Sequence, residues 1–452
     1  MYGPPPDPRQ KIPAIEVFDD PWAYAVCFGV GVALSALSMW RRPPPTLRAA
    51  LFILGQSIIL TAPLLTFLDT YVYGSFPTID KSGSLAFYLD GVHVRMLQHP
   101  IQSLTDPAAR LIGVHIGHLW VTQFFDIFLS PIGAFNAQGL LYPALGWWAA
   151  YLLFREVTGR ERISVLMGFP FGMGLHTFRD LNWYTIEKAA IFWLPLYLWF
   201  AYRAWRDGGR KIWAAGAAFG LLSWMNLYLG LVAAALIATA AGCMLLARGA
   251  QWRRVVKILG ASALVVAPLG LWQWALLQGN LTLGSPERFL FERAALDGFT
   301  LSPLRWNRLE VHRALNMVAV GLAAWGLFAG RRDGRVRLSA VCALVLFVLS
   351  IGPFVSGHDI ENPLYWLARA AVPGFWRVAK PEVFFHGTWL LLLGIAAIQL
   401  ARIKTTGRQL AVLYGLFIIA WLLMVRTHPA YPPMTVPTKT RLAPDWAEKV
   451  FQ

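Results

Sequence analysis

Three aspartates and two cations in this chain have the types and placement to do chemistry together. Asp69, Asp80 and Asp90 follow closely on an apolar segment that ends near residue 69, and Arg377 and Lys380 sit between two later apolar segments. A carboxylate at the mouth of a helix bundle is partly desolvated, which raises its pKa and makes it a better general base than a free aspartate. An Arg–Lys pair at headgroup depth offers a fork of donors and a point charge, the combination that clamps a phosphate. His93 and Arg95 share the loop of the aspartates. Arg179 and Asn182 belong to a third polar stretch, Gly174 to Lys188, dense in titratable and hydrogen-bonding groups. Each of these residues also has a plainer structural reading: solvated acids and helix caps for the aspartates, ordinary headgroup contact for the cations, and mutual neutralisation for Arg179 with Asp180.

These residues need a frame, and composition supplies it. Hydrophobic residues make up 57% of the 452, charged residues only 14%, and mean hydropathy is +0.50, far from the soluble average of about 25% charged. Apolar segments recur from residue 22 to residue 426 with short polar interruptions. The expected fold is therefore all-α, a polytopic transmembrane helix bundle of about twelve spans. The spans read as 22–40, 49–69, 137–154, 163–178, 190–205, 211–226, 229–247, 258–278, 314–330, 337–355, 387–403 and 410–426. A polar tail (1–21) precedes one transmembrane domain (22–426), and a second tail (427–452) follows it. The N-terminal tail lacks the basic start and cleavage site of a signal peptide, so the first apolar segment is expected to remain.

The net charge of +16 is not a nucleic-acid footprint, because 21 of the 40 Lys and Arg fall in six short connections that hold only four acids. Those connections lie around residues 41–48, 155–162, 203–211, 248–257, 331–337 and 402–408. This is the positive-inside pattern, and it makes them cytoplasmic. Both termini and the long loops 70–136, 279–313 and 356–386 are then periplasmic. Inserting a further span at 111–134 would put basic loops on the wrong side, and that segment carries His115, His118 and Asp126, costly at mid-membrane. It reads as a helix in the outer interface or a re-entrant piece buried against protein. Residues 363–376, with Tyr365, Trp366, Phe375 and Trp376, read as an interfacial helix and turn carrying aromatic anchors.

Cys27, Cys243 and Cys342 lie far apart in apolar segments, so neither a disulfide framework nor a zinc site is indicated. No GxxxxGK[ST], HExxH or GxSxG occurs, which leaves nucleotide hydrolysis, zinc proteolysis and serine-triad chemistry without support. No His/Asp/Glu spacing specifies a metal, and dependence on a divalent metal stays open.

The succession of motifs over about residues 47–403 resembles the bacterial membrane proteins of the GT-C glycosyltransferase type. It consists of Thr61-Ala62-Pro63 followed by Gly74 and Asp80, Phe135-Asn136, the span end Leu152 to Gly159, Leu181-Asn182, Leu194-Pro195-Leu196, Gly352-Pro353, Pro373-Gly374-Phe375, and Arg377 to Pro381. The chain differs from that pattern in an additional N-terminal span and in Lys380-Pro381-Glu382, which stands where an Arg-containing turn is usual. The resemblance implies an inner-membrane protein whose first outer loop supplies interfacial helices and a catalytic aspartate, mapping to Asp80. It also implies a sugar on a polyprenyl phosphate as donor and membrane lipids as surroundings. Two other classes compete. One is a non-catalytic subunit on the same scaffold that assembles with other membrane proteins. The other is a lipid-linked-sugar flippase, which the scarcity of charged residues within the spans disfavours.

Overall fold

The structure is a computed structural model and describes residues 21–40, 43–65, 71–73, 116–174, 177, 190–247, 252–278, 316–352, 361–372, 375, 381–427 and 434–437. Fourteen α-helices are found among the described residues. They are α1 (Pro21–Ser38), α2 (Pro45–Leu65), α3 (Ile116–Asp126), α4 (Pro131–Thr158), α5 (Glu161–Gly172), α6 (Trp193–Asp207) and α7 (Lys211–Met225). The rest are α8 (Leu227–Leu246), α9 (Trp252–Gln278), α10 (Met317–Ala329), α11 (Gly334–Ser350), α12 (Pro363–Ala371), α13 (Phe384–Arg402) and α14 (Gly407–Thr427). Every one of the twelve apolar segments read from sequence coincides with one of these helices. By length and hydropathy α1, α2, α8 and α13 are able to cross a membrane, and α10 and α14 contain shorter apolar helices.

Most of the helices share one buried core, and α5 lies within it. From Ser164 onward nearly every residue of α5 is buried. The indole N–H groups of Trp147, Trp389 and Trp421, on α4, α13 and α14, donate to the carbonyls of Val165 (2.6 Å), Pro170 (3.1 Å) and Met173 (2.7 Å). The carbonyls of Pro170 and Met173 stand at the C-terminal end of α5, where backbone acceptors lack intrahelical partners and, buried, must be met by protein donors. α5 lies against α4 because Gly172 has no side chain; a Cβ there would collide with the backbone of Trp147 and Pro143. At the periphery α1 and α2 cross at Gly31 and Gly55, where a Cβ on Gly55 would stand 2.6 Å from the Gly31 carbonyl oxygen. Small residues that let backbones touch are the usual means of packing helices without a hydrophobic driving force between them.

The six basic connections meet at one end of the bundle. Arg48 pairs with Glu161 at 3.9 Å, and Arg155 donates to Thr46 at 3.2 Å, joining the first connection to the second. Glu156 receives Arg206 at 2.5 Å and Arg203 at 4.0 Å, joining the second to the third. The Arg254 guanidinium donates to the carbonyls of Trp205 and Arg206 at 3.1 and 2.9 Å, bringing in the fourth. Arg402 pairs with Asp333, linking the fifth and sixth, and Gly407 lies against the Arg162 side chain, linking the sixth to the second. We call this the inner end. Arg206 and Lys211 hold the Asp207 carboxyl well below the usual carboxylate range, and Asp207 and Glu156 in turn push the Arg206 guanidinium still higher.

Candidate functional site at the outer end

All nine side chains singled out from the sequence, namely Asp69, Asp80, Asp90, His93, Arg95, Arg179, Asn182, Arg377 and Lys380, lie outside the described residues. The described residues do fix where the segments bearing them leave the bundle and return to it. Those anchor points are all at the end opposite the basic connections.

The first loop leaves from the end of α2 through β1 (Tyr71–Tyr73), which pairs antiparallel with β2 (Met434–Pro437) of the C-terminal tail. The loop returns at α3. At 11 residues, about 16 Å long, α3 is too short to cross a bilayer core of about 30 Å. It packs on α4 through a buried polar network. His118 Nδ1 lies 2.8 Å from the Tyr142 hydroxyl, and Gln138 Nε2 donates to the His118 carbonyl at 3.0 Å and to the Tyr142 hydroxyl. Thr122 Oγ1 contacts both the His118 carbonyl, at 3.0 Å, and Gln138 Oε1. A carbonyl only accepts, so the Gln138 amide nitrogen must face it, which fixes the orientation of that amide. The Tyr142 hydroxyl accepts from Gln138 and shares a hydrogen bond with His118 Nδ1. His118, Thr122 and Gln138 are fully buried. A buried hydrogen-bond network of this kind holds a helix in one place. Of the segment 111–134, the described residues show a short helix, Ile116–Asp126, with His118 and Thr122 buried and Phe124 exposed.

The second segment departs after Thr177 and returns at Ala190 and Ile191, all three fully buried. The next ring, Phe192, stands 5.3 Å from Tyr142, so the return points of the first two loops share one aromatic contact. The third departs at Phe375 and returns at Pro381, at the start of a short 3-10 turn (Pro381–Val383). Phe375 is clasped by Tyr365 at 5.2 Å and Phe384 at 5.5 Å. Tyr365 and Phe375 are therefore core residues and not the surface anchors expected from sequence, whereas Trp366, with Arg369 5.2 Å from its ring centroid, keeps a partly exposed position. Asn362 fastens α12 to the end of α11 by donating to the carbonyls of Val348 (2.8 Å) and Gly352 (2.9 Å) while capping the Tyr365 N–H.

Gln138, Tyr142 and Thr122 were not singled out by sequence reading. The signal that could have found them is the placement of Gln138 and Tyr142 four residues apart on one face of an apolar helix, where uncharged polar groups need a partner. Among the described residues no group of three or more His, Cys, Asp or Glu is placed to hold a metal ion. The three cysteines are free, with Cys342 buried and the other two partly so. A search for relatives finds no matching family model and no matching curated protein.

Proposed function

We propose that all twelve long apolar segments cross a bacterial inner membrane, with the basic end in the cytoplasm, and that the outer end transfers a sugar from a polyprenyl-phosphate donor to an acceptor on the periplasmic face. The observation that carries this reading is the gathering of six basic connections at one end, which leaves the anchors of the loops bearing Asp80, Arg179 and Arg377 at the other. In the proposed step the acceptor hydroxyl oxygen attacks the anomeric carbon and gives its proton to Asp80, with Asp69 and Asp90 beside it. The bond from that carbon to the lipid phosphate breaks with inversion. Arg377 and Lys380, with Arg95 and His93 from the first loop, take up the negative charge that grows on the leaving phosphate. Arg179 and Asn182 orient the sugar.

Asp80→Asn tests this, with donor turnover by the purified protein in lipid as the readout. The account expects turnover to fall by at least about a hundredfold, the scale of a general base, with melting temperature unchanged. Undiminished turnover would remove Asp80 from the mechanism. Absence of turnover in the parent protein, together with copurification of partner chains at fixed stoichiometry, would favour a non-catalytic subunit instead.

A further inference from the structure

Between α4, α6, α8, α9, α11 and α13, in the inner half of the bundle, lies a cavity of about 210 Å³. Its wall is mostly hydrocarbon, from Phe154, Leu198, Leu236, Ile258, Leu390 and Ile398. Polar groups enter only toward the inner end, where Arg335, Ser339, Tyr202 and Trp205 line it. Chain direction fixes this polarity: α11 starts at the basic end with Arg335 and passes Ser339 one turn later, while α6 runs from Leu198 toward Trp205 as it approaches that end. Arg335 is exposed, and among the described residues no carboxylate lies within ion-pair distance of its guanidinium. Asp333, the nearest acid in sequence, pairs with Arg402 and accepts from the Arg335 backbone N–H at 2.7 Å. A second guanidinium, Arg254, is fixed beside the same rim by the carbonyls of Trp205 and Arg206.

We infer that this cavity holds one hydrocarbon chain of an anionic phospholipid from the inner leaflet, with its headgroup phosphate on Arg335. A polar metabolite has nothing to bond to beyond Ser339, whereas burying the methylenes of a lipid chain there is favourable. The Arg335 guanidinium at the rim selects the headgroup. A net negative lipid gains from it in full, and the ammonium of a zwitterionic lipid opposes it. The site is separate from the outer-end chemistry and needs only that the inner end lie at a bilayer surface.

The test is native mass spectrometry of the full chain, delipidated in detergent and given equal amounts of phosphatidylglycerol and phosphatidylcholine of identical chains. One bound phosphatidylglycerol is expected, preferred over phosphatidylcholine by about fivefold, the ratio that one cation near a membrane surface supplies. Arg335→Gln, at an exposed position, should bring that ratio near one while lipid still binds. Ala240→Phe, which fills the cavity from α8, should remove the tightly held adduct of either lipid. Equal binding of the two lipids by the parent chain overturns the inference. So does a preference that survives Arg335→Gln, or an adduct undiminished in a folded Ala240→Phe variant.

Discussion

The two ends of the bundle are closed by opposite kinds of chemistry. At the inner end the helices are tied by charge: Arg48 to Glu161, Arg203 and Arg206 to Glu156, Lys211 to Asp207, Arg402 to Asp333. At the outer end the ties are neutral amides, hydroxyls and rings. Three helices that begin there, α8, α10 and α12, are capped by Asn226, Asn316 and Asn362, each accepting from the backbone N–H three residues on, and α4 is capped by Ser130. The ion pairs among the described residues all lie at the inner end. The difference teaches that fixed charge among the described residues records orientation, while the described ties at the outer end are made by neutral groups.

The comparison is broken most severely at the buried outer network. Gln138→Leu keeps the volume but removes the donor shared by the His118 carbonyl and the Tyr142 hydroxyl, which keep Thr122 Oγ1 and His118 Nδ1, at roughly 0.5–1.5 kcal/mol for each hydrogen bond lost. Thermal unfolding in detergent should show a clear loss, with α3 the first segment to gain hydrogen exchange. An unchanged melting temperature would mean that α3 is not held by this network.

A smaller effect is expected at Asn362, where Asn362→Ala removes a cap worth about 1 kcal/mol and two donors to α11. Exchange protection around residues 363–371 should fall while that of α5 does not. Equal loss in both would show that α12 is part of the same cooperative unit.

At the inner end Asp333 caps α11 and pairs with Arg402. Burial works against its carboxylate, but the Arg335 N–H and the charges of Arg402 and Arg335 outweigh it and hold its pKa below the ordinary value of 3.8. The stability this brings is fully present above that value and is lost as pH falls through the lower, folded pKa. Asp333→Asn keeps a good cap and removes the charge. Its melting temperature should lie below that of the parent at pH 6, and the gap should close as pH falls below about 4. A gap that stays constant through that range would remove the charge from the account. Lys211→Ala marks the lower limit: an exposed pair with Asp207 is worth less than about 1 kcal/mol and fades with salt, so any larger, salt-insensitive loss would contradict the view of this end as a solvated charge cluster.

The helices were legible because lipid-compatible segments announce themselves by length and apolarity, and the basic turns between them by charge. Boundaries shifted where local chemistry intervened. α4 starts at Pro131 and not at 137, since Ser130 caps it and proline is suited to the first turn. α5 stops at Gly172 and not at 178, shortly after Pro170. The pairing of Tyr71–Tyr73 with Met434–Pro437 was not legible, because nothing in two short strands so far apart in sequence names the partner. The inward turn of Tyr365 and Phe375 was missed for a related reason: an aromatic ring near an interface is equally suited to headgroups and to a core, and only tertiary contact decides. For the site, sequence supplied the residue types, and the structure supplied the anchors of the segments that carry them.

The central claim is that the basic connections and the loops bearing the aspartate and the cations lie on opposite sides of one membrane. In a background where Cys27, Cys243 and Cys342 are replaced by serine, single substitutions Asp80→Cys, Val378→Cys and Lys404→Cys are labelled in intact cells with a membrane-impermeant maleimide. The account predicts labelling at positions 80 and 378 from outside and at 404 only after permeabilisation. Labelling of 80 and 378 from different sides, or of 404 from the same side as either, would contradict it.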